Sequence, residues 1–527
     1  MRKKACADRR KKEHFYCHGH KTEKSVWQQR GANGTMKLEK LLEGLEYTLL
    51  QGSLDTEVKD IAYDSRKVQL GWAFVCIVGI TRDSHDYAMD VAQNGASILI
   101  IQHKLDQMPE GVTVVQVKSS RQALAIMSCN YFERPAEKLI TIGVTGTKGK
   151  TTTSHMICSV MNAAGHKCGI IGTNGVAYPG VKRQLINTTP ESYELQKMFY
   201  EMLEAGCDSV VMEVSSQGIM MERVTGIHYN VGVFTNLYPD HIGGPGEHAS
   251  FEEYRAWKGE LFRRCDVGVV NIDDKNCDAL LEGHTCKLVS YGVHKQADFH
   301  AENLNLLRAE NFLGIQFHVS GKETMDVKVN MPGEFSVYNS LAAIAVARVL
   351  GVEHQAIHDG LMNLSVKGRV ELVPVSKEFT VLIDFAHNEA GTESLLSTLR
   401  AYNPKRLVVL FGCGGDRSRL RRYGMGEVAS RKADFLILTE DNNRYEPVEQ
   451  ILKDIKIGIE QGNPEIPYVE IPDRLDAIHY ALDHAQPGDV IAVIGKGHET
   501  YRDRMGEKTP FLERELILEY AEQIGLK

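Results

Sequence analysis

The stretch Ile140-Thr-Ile-Gly-Val-Thr-Gly-Thr-Lys-Gly-Lys-Thr-Thr-Thr153 joins an apolar run to a glycine-rich turn and then to a helix start. That order constrains the fold, because a strand must end at a sheet rim where a helix begins. Glycines let the backbone close around an anion, the first amides of the helix point at it, and Lys150 with Thr151 can reach β/γ-phosphates and a Mg²⁺. The expected ligand is ATP, held by Gly146, Thr147, Lys148, Gly149, Lys150, Thr151 and Thr152. Counting back from Lys150 puts Val144 where the common phosphate loop has its first glycine, and Gly143 and Gly146 flank that place.

A chain of 527 residues exceeds what one core usually serves, so two to four domains are expected. The formal charge of −8 gives no global electrostatic reason to expect nucleic acid or an anionic membrane as partner. Eleven cysteines without a CxxC pair or zinc-ligand spacing argue against a disulfide framework and for the cytoplasm. There is no apolar run of membrane-spanning length and no apolar signal core. Residues 1–35 are rich in Lys, Arg, His and Cys and lack apolar periodicity. They read as a disordered extension ahead of Met36; a basic nucleic-acid tail, or metal binding by Cys17-His18-Gly19-His20, is the alternative.

From Met36 to about Lys138, runs such as Trp72-Ala-Phe-Val-Cys-Ile-Val alternate with helical stretches such as Tyr87-Ala-Met-Asp-Val-Ala, the look of a small α/β domain. The central part continues from the phosphate loop through Ser209-Val-Val-Met-Glu-Val and Val231-Gly-Val-Phe-Thr-Asn, strands that end in polar residues. In open α/β sheets ligands collect at such carboxyl ends. An antiparallel excursion is expected around Lys295 to Gly321 and a helix from Tyr338 to Leu350. Beyond Gly368-Arg369, four apolar runs beginning at Val381, Leu407, Phe435 and Val490 predict buried parallel strands of a doubly wound sheet. The expected domains are 36–139, 140–366 and 367–527.

Glu213, Asp240 and His241 arrive at the rim of the phosphate loop. Glu213 ends one strand and can hold a metal ion, or cap the next turn. Asp240-His241 follows the next strand, and neutral imidazole is a metal ligand. Lys258 lies seventeen positions after His241 and, taken alone, reads as a solvated helix lysine.

The ordered set Asp64-Ser-Arg66, Gly146-Thr-Lys-Gly-Lys-Thr-Thr152, Asn187-Thr-Thr-Pro190, Glu213-Val-Ser-Ser216, Asp240-His241, Gly368-Arg-Val-Glu371, Asp384-Phe-Ala-His387, Gly412-Cys-Gly-Gly-Asp-Arg417 and Gly495-Lys-Gly-His-Glu499 resembles the Mur ligases of peptidoglycan synthesis. Within them it resembles the tripeptide synthetases, the MurE type, from about Met36 to the C-terminus. The resemblance implies an α/β architecture of three domains: an N-terminal one for the uridine nucleotide, a P-loop-type central one for ATP, and a doubly wound C-terminal one for the incoming amino acid. It implies that Lys258 is carbamylated and, with Thr151, Glu213 and His241, serves a Mg²⁺ site, and that Lys150, Lys258, His241 and Glu213 are catalytic.

By the same resemblance, Ser65 and Thr81 contact the uridine nucleotide, and Thr188, Thr189, Ser215 and Arg223 hold the muramoyl-peptide part. Asn339, Arg369 and Asp384 complete the ATP site, with His387 close by. The implied reaction adds a third amino acid to UDP-MurNAc-L-Ala-D-Glu through an acyl phosphate, and the expected protein is a monomer. Two departures stand out. Met221 replaces a substrate-contacting glutamine of some members, and Asp441-Asn442-Asn443-Arg444 replaces the Asp-Asn-Pro-Arg signature of enzymes that select meso-diaminopimelate. The arginine is kept, and a guanidinium grips a distal carboxylate that L-lysine lacks. With Arg417 adding positive charge, and Glu499 and the Gly495 carbonyl to receive the distal ammonium, meso-diaminopimelate is favoured over L-lysine. A ligase of the folylpolyglutamate synthetase kind and a non-catalytic nucleotide-binding regulator are the rival readings. Asp64-Ser-Arg66 in a full domain ahead of the loop argues against the first, and Glu213, His241 and Lys258 together against the second.

Overall fold

Strands in the computed structural model form where the apolar runs lie, and their alternate side chains go to opposite faces. Residues 34–526 are described, apart from Ile80, Thr81, His241, Pro245, Glu310, Asn311 and Asn363. The expected tail with Cys17-His18-Gly19-His20, and the candidates Thr81 and His241, therefore lie outside the described residues. The chain divides into one unit ending at Arg134 and another beginning at Pro135.

The first unit holds a five-stranded sheet, in which Ile61–Ala62, Trp72–Val75, Ala96–Ile101 and Thr113–Val117 run parallel and Tyr47–Gln51 pairs antiparallel at the edge. The strand expected over Trp72 to Val78 stops at Val75, and the helix expected at Tyr87 covers Ala88–Gln93. Thr35 is not loose: its hydroxyl donates to Glu57 Oε2 at 3.1 Å, next to the antiparallel pairing of Met36–Lys37 with Glu57–Val58.

The second unit contains an eleven-stranded sheet and a six-stranded sheet. In the larger one, Ile140–Thr145 lies between Ser209–Glu213 and Tyr229–Phe234, all parallel. Ile142, Val144, Val211, Val231 and Val233 pack with Met156, Ile157 and Val160 of helix Lys150–Ala163 and with helix Glu334–Val349. Val210, Met212 and Phe234 face the other way, against Leu195, Phe199 and Tyr254. Burial on both faces explains why these strands read as continuous apolar runs. The antiparallel excursion is a three-stranded extension of the same sheet, Phe299–Ala309, Phe312–Gly321 and Met325–Val329. The helix expected from Tyr338 begins a turn earlier, at Glu334.

The smaller sheet runs in the order Glu371–Val373, Thr380–Asp384, Asp489–Ile494, Arg406–Phe411, Phe435–Leu438 and Tyr468–Glu470. All of its neighbours are parallel except the first pair. Val409, Phe411 and Ala492 meet one set of helices, while Val408, Leu410 and Val493 meet another, so the sheet is doubly wound. Among the described residues the cysteines in the structure are free thiols, and no helix is long and apolar enough to cross a membrane.

Candidate active site

The two glycines near the end of strand Ile140–Thr145 do different work. Gly143 lies inside the strand, where a Cβ would stand 3.0 Å from Leu261 and from the Tyr229 ring, so it is a packing glycine. Gly146 has φ 145° and a Cβ there would fall 2.0 Å from Thr235 Oγ1. Gly149, with φ 85°, starts helix Lys150–Ala163, whose first-turn amides have no intrahelical acceptor. This is an anion cradle with the dipole's positive end facing it.

The loop is fastened to the next strand's end. Thr147 N donates to Asn236 O at 2.8 Å and Lys148 N to Asn236 Oδ1 at 2.9 Å. Thr235 Oγ1 donates to Lys148 O at 2.7 Å. Asn339 Oδ1 accepts from Thr153 Oγ1 at 3.1 Å and would meet a Cβ on Gly149 at 2.7 Å, so Asn339 shapes the cradle from helix Glu334–Val349. Sequence reasoning missed Thr235 and Asn236; their place just past an apolar strand was the available signal.

Lys150 turns back, its Nζ donating to Gly146 O at 2.9 Å and Thr147 O at 3.1 Å. Lys258 is 2% exposed and donates to the same Gly146 O at 3.0 Å, over the Tyr254 ring. It is not the solvated helix lysine it resembles in isolation. Burial, with Lys150 nearby, holds the Lys258 amine well below its ordinary range, and Asp240 opposes this. Desolvation lowers Lys150 as well, against the pull of Glu213 and Asp240. Two amines thus meet at one carbonyl oxygen, with the carboxylates Glu213 and Asp240 near enough to act on them.

Glu213 is 2% exposed, and its carboxylate accepts from Thr173 N at 2.9 Å and Thr173 Oγ1 at 3.1 Å. A carboxylate has about four acceptor directions, so donors of Mg²⁺-binding kind remain on both oxygens. Thr151, buried in the first helical turn, supplies a hydroxyl of the same kind. Thr188 Oγ1 lies 3.1 Å from Thr173 Oγ1, and Thr189 Oγ1 donates to Glu213 O and Ser215 Oγ, each at 3.0 Å. Ser215 caps helix Ser216–Met220 by accepting from Gly218 N. Arg223 donates to Thr189 O at 3.1 Å and pairs with Glu191 at 2.8 Å. Thr188, Thr189, Ser215 and Arg223 thus form one connected group around Glu213.

Asp384 ends its strand with Oδ2 accepting from Val370 N and Oδ1 from Ala386 N, each at 2.8 Å. Desolvation raises its carboxyl, while Arg369 opposes that shift. The Arg369 guanidinium stacks 4.9 Å from the centre of the Phe385 ring, which also meets His387. Burial pushes His155 and His498 each down to about 4, with Arg369 adding to both.

At the far end of the smaller sheet, Asp441, Asn442 and Asn443 are buried and Arg444 is half-buried. Arg444 Nη1 donates to Gly415 O at 2.6 Å, next to the turn that carries exposed Arg417. Asn442 is committed within the protein: Nδ2 donates to Glu499 Oε2 at 2.6 Å, and Oδ1 accepts from Lys496 Nζ at 3.0 Å and from Asp503 N at 3.0 Å. Asn443 Nδ2 donates to Glu440 Oε2 at 2.9 Å. Burial raises the Glu499 carboxyl, and Lys496 opposes it. A Cβ on Gly495 would meet Asp441 Oδ2 at 2.7 Å. The fully buried Lys496 is a third residue that sequence reasoning missed.

Ser65 lies in the first unit, where Asp64 caps the short helix Ser65–Lys67 and pairs with Arg66 at 2.8 Å. That pairing holds the Asp64 carboxyl down to about 2. The first unit also holds Asp83, His85 and His103, spaced as metal ligands are. His85 Nε2 accepts from Gln102 N at 2.9 Å, which leaves its proton on the Nδ1 that faces Asp83. That nitrogen has no lone pair for an ion, and the cluster is an Asp–His hydrogen-bond group.

The comparisons with known proteins agree with this geometry. Residues 144–347 match the family model for the Mur ligase middle domain, and residues 368–497 that for the Mur ligase, glutamate ligase domain. The chain is 38% identical over 494 residues to a UDP-N-acetylmuramoyl-L-alanyl-D-glutamate--2,6-diaminopimelate ligase of Clostridium perfringens, covering 92% of this chain and 100% of that one. This chain belongs to the Mur ligase family. A ligase of the same name from Clostridium botulinum is 38% identical, over 93% of this chain and 100% of that one. A solved structure titled as a UDP-N-acetylmuramoyl-L-alanyl-D-glutamate--2,6-diaminopimelate ligase superposes with a TM-score of 0.68 at 26% identity, covering 93% of this chain and 99% of that one. As a Mur ligase the chain is an enzyme.

Proposed function

We propose that this Mur ligase adds meso-diaminopimelate to the D-glutamate of UDP-MurNAc-L-Ala-D-Glu, using ATP, in the cytoplasm. The carrying observation is the pairing of Lys150 and Lys258 on Gly146 O beneath a helix N-terminus: a desolvated lysine pair beside a helix start suits a transferring phosphoryl group. The substrate carboxylate attacks the γ-phosphorus, and the bond to the ADP oxygen breaks. The amine nitrogen then attacks the acyl carbon, a proton leaves, and inorganic phosphate departs.

The chain's residues divide the work. The cradle from Gly146 to Thr152 orients the phosphates, Lys150 follows the charge that develops on the moving group, and Asn339, Arg369 and Asp384 serve the nucleotide. Thr151, Glu213, His241 and the carbamate of Lys258 would hold Mg²⁺, which would neutralise phosphate charge. Burial that disfavours the Lys258 ammonium favours carbamylation, and the product anion would offset the charge of Lys150. Thr188, Thr189, Ser215 and Arg223 hold the muramoyl peptide, and Ser65 and Thr81 the uridine nucleotide. Arg444 and Arg417 receive the distal carboxylate, while Glu499 and the Gly495 carbonyl receive the distal ammonium, with the loop Asp441, Asn442 and Asn443 beside them. The domains are 36–139, 140–366 and 367–527, and the protein works as a monomer.

The test is a product-mass panel with ATP, UDP-MurNAc-L-Ala-D-Glu and each of meso-diaminopimelate, L-lysine and L-ornithine. The expected result is a tripeptide mass and ADP release with meso-diaminopimelate above the others. A clear L-lysine preference overturns the pocket assignment, and no product with any amine overturns the reaction.

A further inference from the structure

Arg444 holds φ 51°, a left-handed conformation that a bulky side chain keeps only when its surroundings fix it. Its backbone is stitched on both sides to the hairpin formed by Tyr501–Arg504 and Glu507–Pro510. Arg444 N donates to Asp503 O at 3.0 Å, and Arg444 O accepts from Met505 N at 2.6 Å. What anchors loop and hairpin to each other is Glu440, 1% exposed. Its Oε2 accepts from Asn443 Nδ2 at 2.9 Å and Arg504 Nε at 2.8 Å. Its Oε1 accepts from Arg504 Nη2 and, at 3.3 Å, from Arg502 Nη1. Both arginines also reach Asp473, at 3.1 and 2.9 Å, so two carboxylates face two guanidiniums.

We propose that Glu440 is a positioning residue for the amino-acid pocket, clamping Asn443 to Arg502 and Arg504 so that Arg444 keeps its strained backbone and its guanidinium stays at the Gly414–Arg417 turn. This rests on the reading of Arg444 as the contact for the substrate's distal carboxylate. A bidentate carboxylate–guanidinium pair fixes direction as well as charge, and an amide in its place keeps the size but loses the strong acceptors. Glu440 touches no reacting atom in this account. Its loss loosens one loop and leaves the phosphate cradle alone, because Asn236, Thr235 and Asn339 fasten that cradle independently.

The test compares Glu440→Gln and Asn443→Ala with the unaltered enzyme in two readouts. In amide hydrogen exchange, segments 441–446 and 501–506 should exchange about tenfold faster in Glu440→Gln, and helix Lys150–Ala163 should be unchanged. In steady-state kinetics, KM for meso-diaminopimelate should rise about tenfold, with kcat within about threefold and KM for ATP unaltered. Asn443→Ala should move both readouts the same way by less, and it carries the test should Glu440→Gln not fold. Unchanged exchange in both segments overturns the proposal, as does a uniform loss of protection and of both KM values, the mark of a general packing role. The exchange readout uses no amino acid, so it decides the clamp even if the enzyme takes a different third residue.

Discussion

The phosphate loop and the loop from Asp441 to Arg444 both sit at carboxyl ends of parallel strands, yet they handle charge in opposite ways. At the first, Lys150 and Lys258 converge on a single carbonyl oxygen, and burial loosens the hold of both on a proton, with Lys150 adding to the effect on Lys258. At the second, Glu440, Glu499 and Asp473 are already balanced by Lys496, Arg502 and Arg504. Lysines hydrogen-bonded to a neutral carbonyl keep donors for an incoming anion. A pocket balanced internally is built to hold a zwitterion in one orientation without a large net attraction.

Lys150→Ala should break the contrast most severely. Removing the cation that follows the phosphoryl group is expected to lower kcat by about a thousandfold with the melting temperature unchanged or raised, since one of two repelling amines is gone. A variant with near-normal turnover would refute the phosphoryl-binding role of the lysine pair. Lys258→Ala should cost about a hundredfold in turnover and recover part of it with added short carboxylates, which replace the carbamate. No recovery together with wild-type activity would remove the carbamate role.

At the other loop, Arg444→Lys keeps the charge and loses the planar fork. The preference for meso-diaminopimelate over L-lysine, read as a ratio of kcat/KM, should fall by about tenfold to a hundredfold, and the ADP-release requirement for the muramoyl dipeptide should persist. An unchanged ratio would place selection elsewhere. The smallest effect concerns pH. His155 and His498 lie near 4 in the folded chain against 6.5 for the free group. As pH falls from 6.5 towards 4 the unfolded chain binds protons that these two do not, so stability falls across that window. His155→Gln should flatten the melting temperature against pH there, and parallel curves would contradict the shift.

Local signals made part of this legible from sequence. Apolar runs gave the strands because both faces of each sheet are covered, and Gly149-Lys150-Thr151 gave the helix start because only glycine suits its φ of 85°. The strand-end positions of Glu213 and Asp384 followed from the same pattern. The bracing of each loop was not legible. Asn236 reaches Lys148, and Arg504 reaches Glu440, across 88 and 64 residues, and such pairs leave no local period or spacing. Asn442 shows the same gap: its place in the motif suggests a lining residue, but its amide is spent on Glu499, Lys496 and Asp503.

The central claim is that the lysine pair at the phosphate loop lets the dipeptide's carboxylate take the γ-phosphoryl group before the amine arrives. The most direct measurement labels the D-glutamate carboxylate of UDP-MurNAc-L-Ala-D-Glu with ¹⁸O and follows it by mass spectrometry through a turnover with ATP and meso-diaminopimelate. One labelled oxygen should appear in the released phosphate. Phosphate that carries no label, alongside labelled tripeptide, would contradict the account.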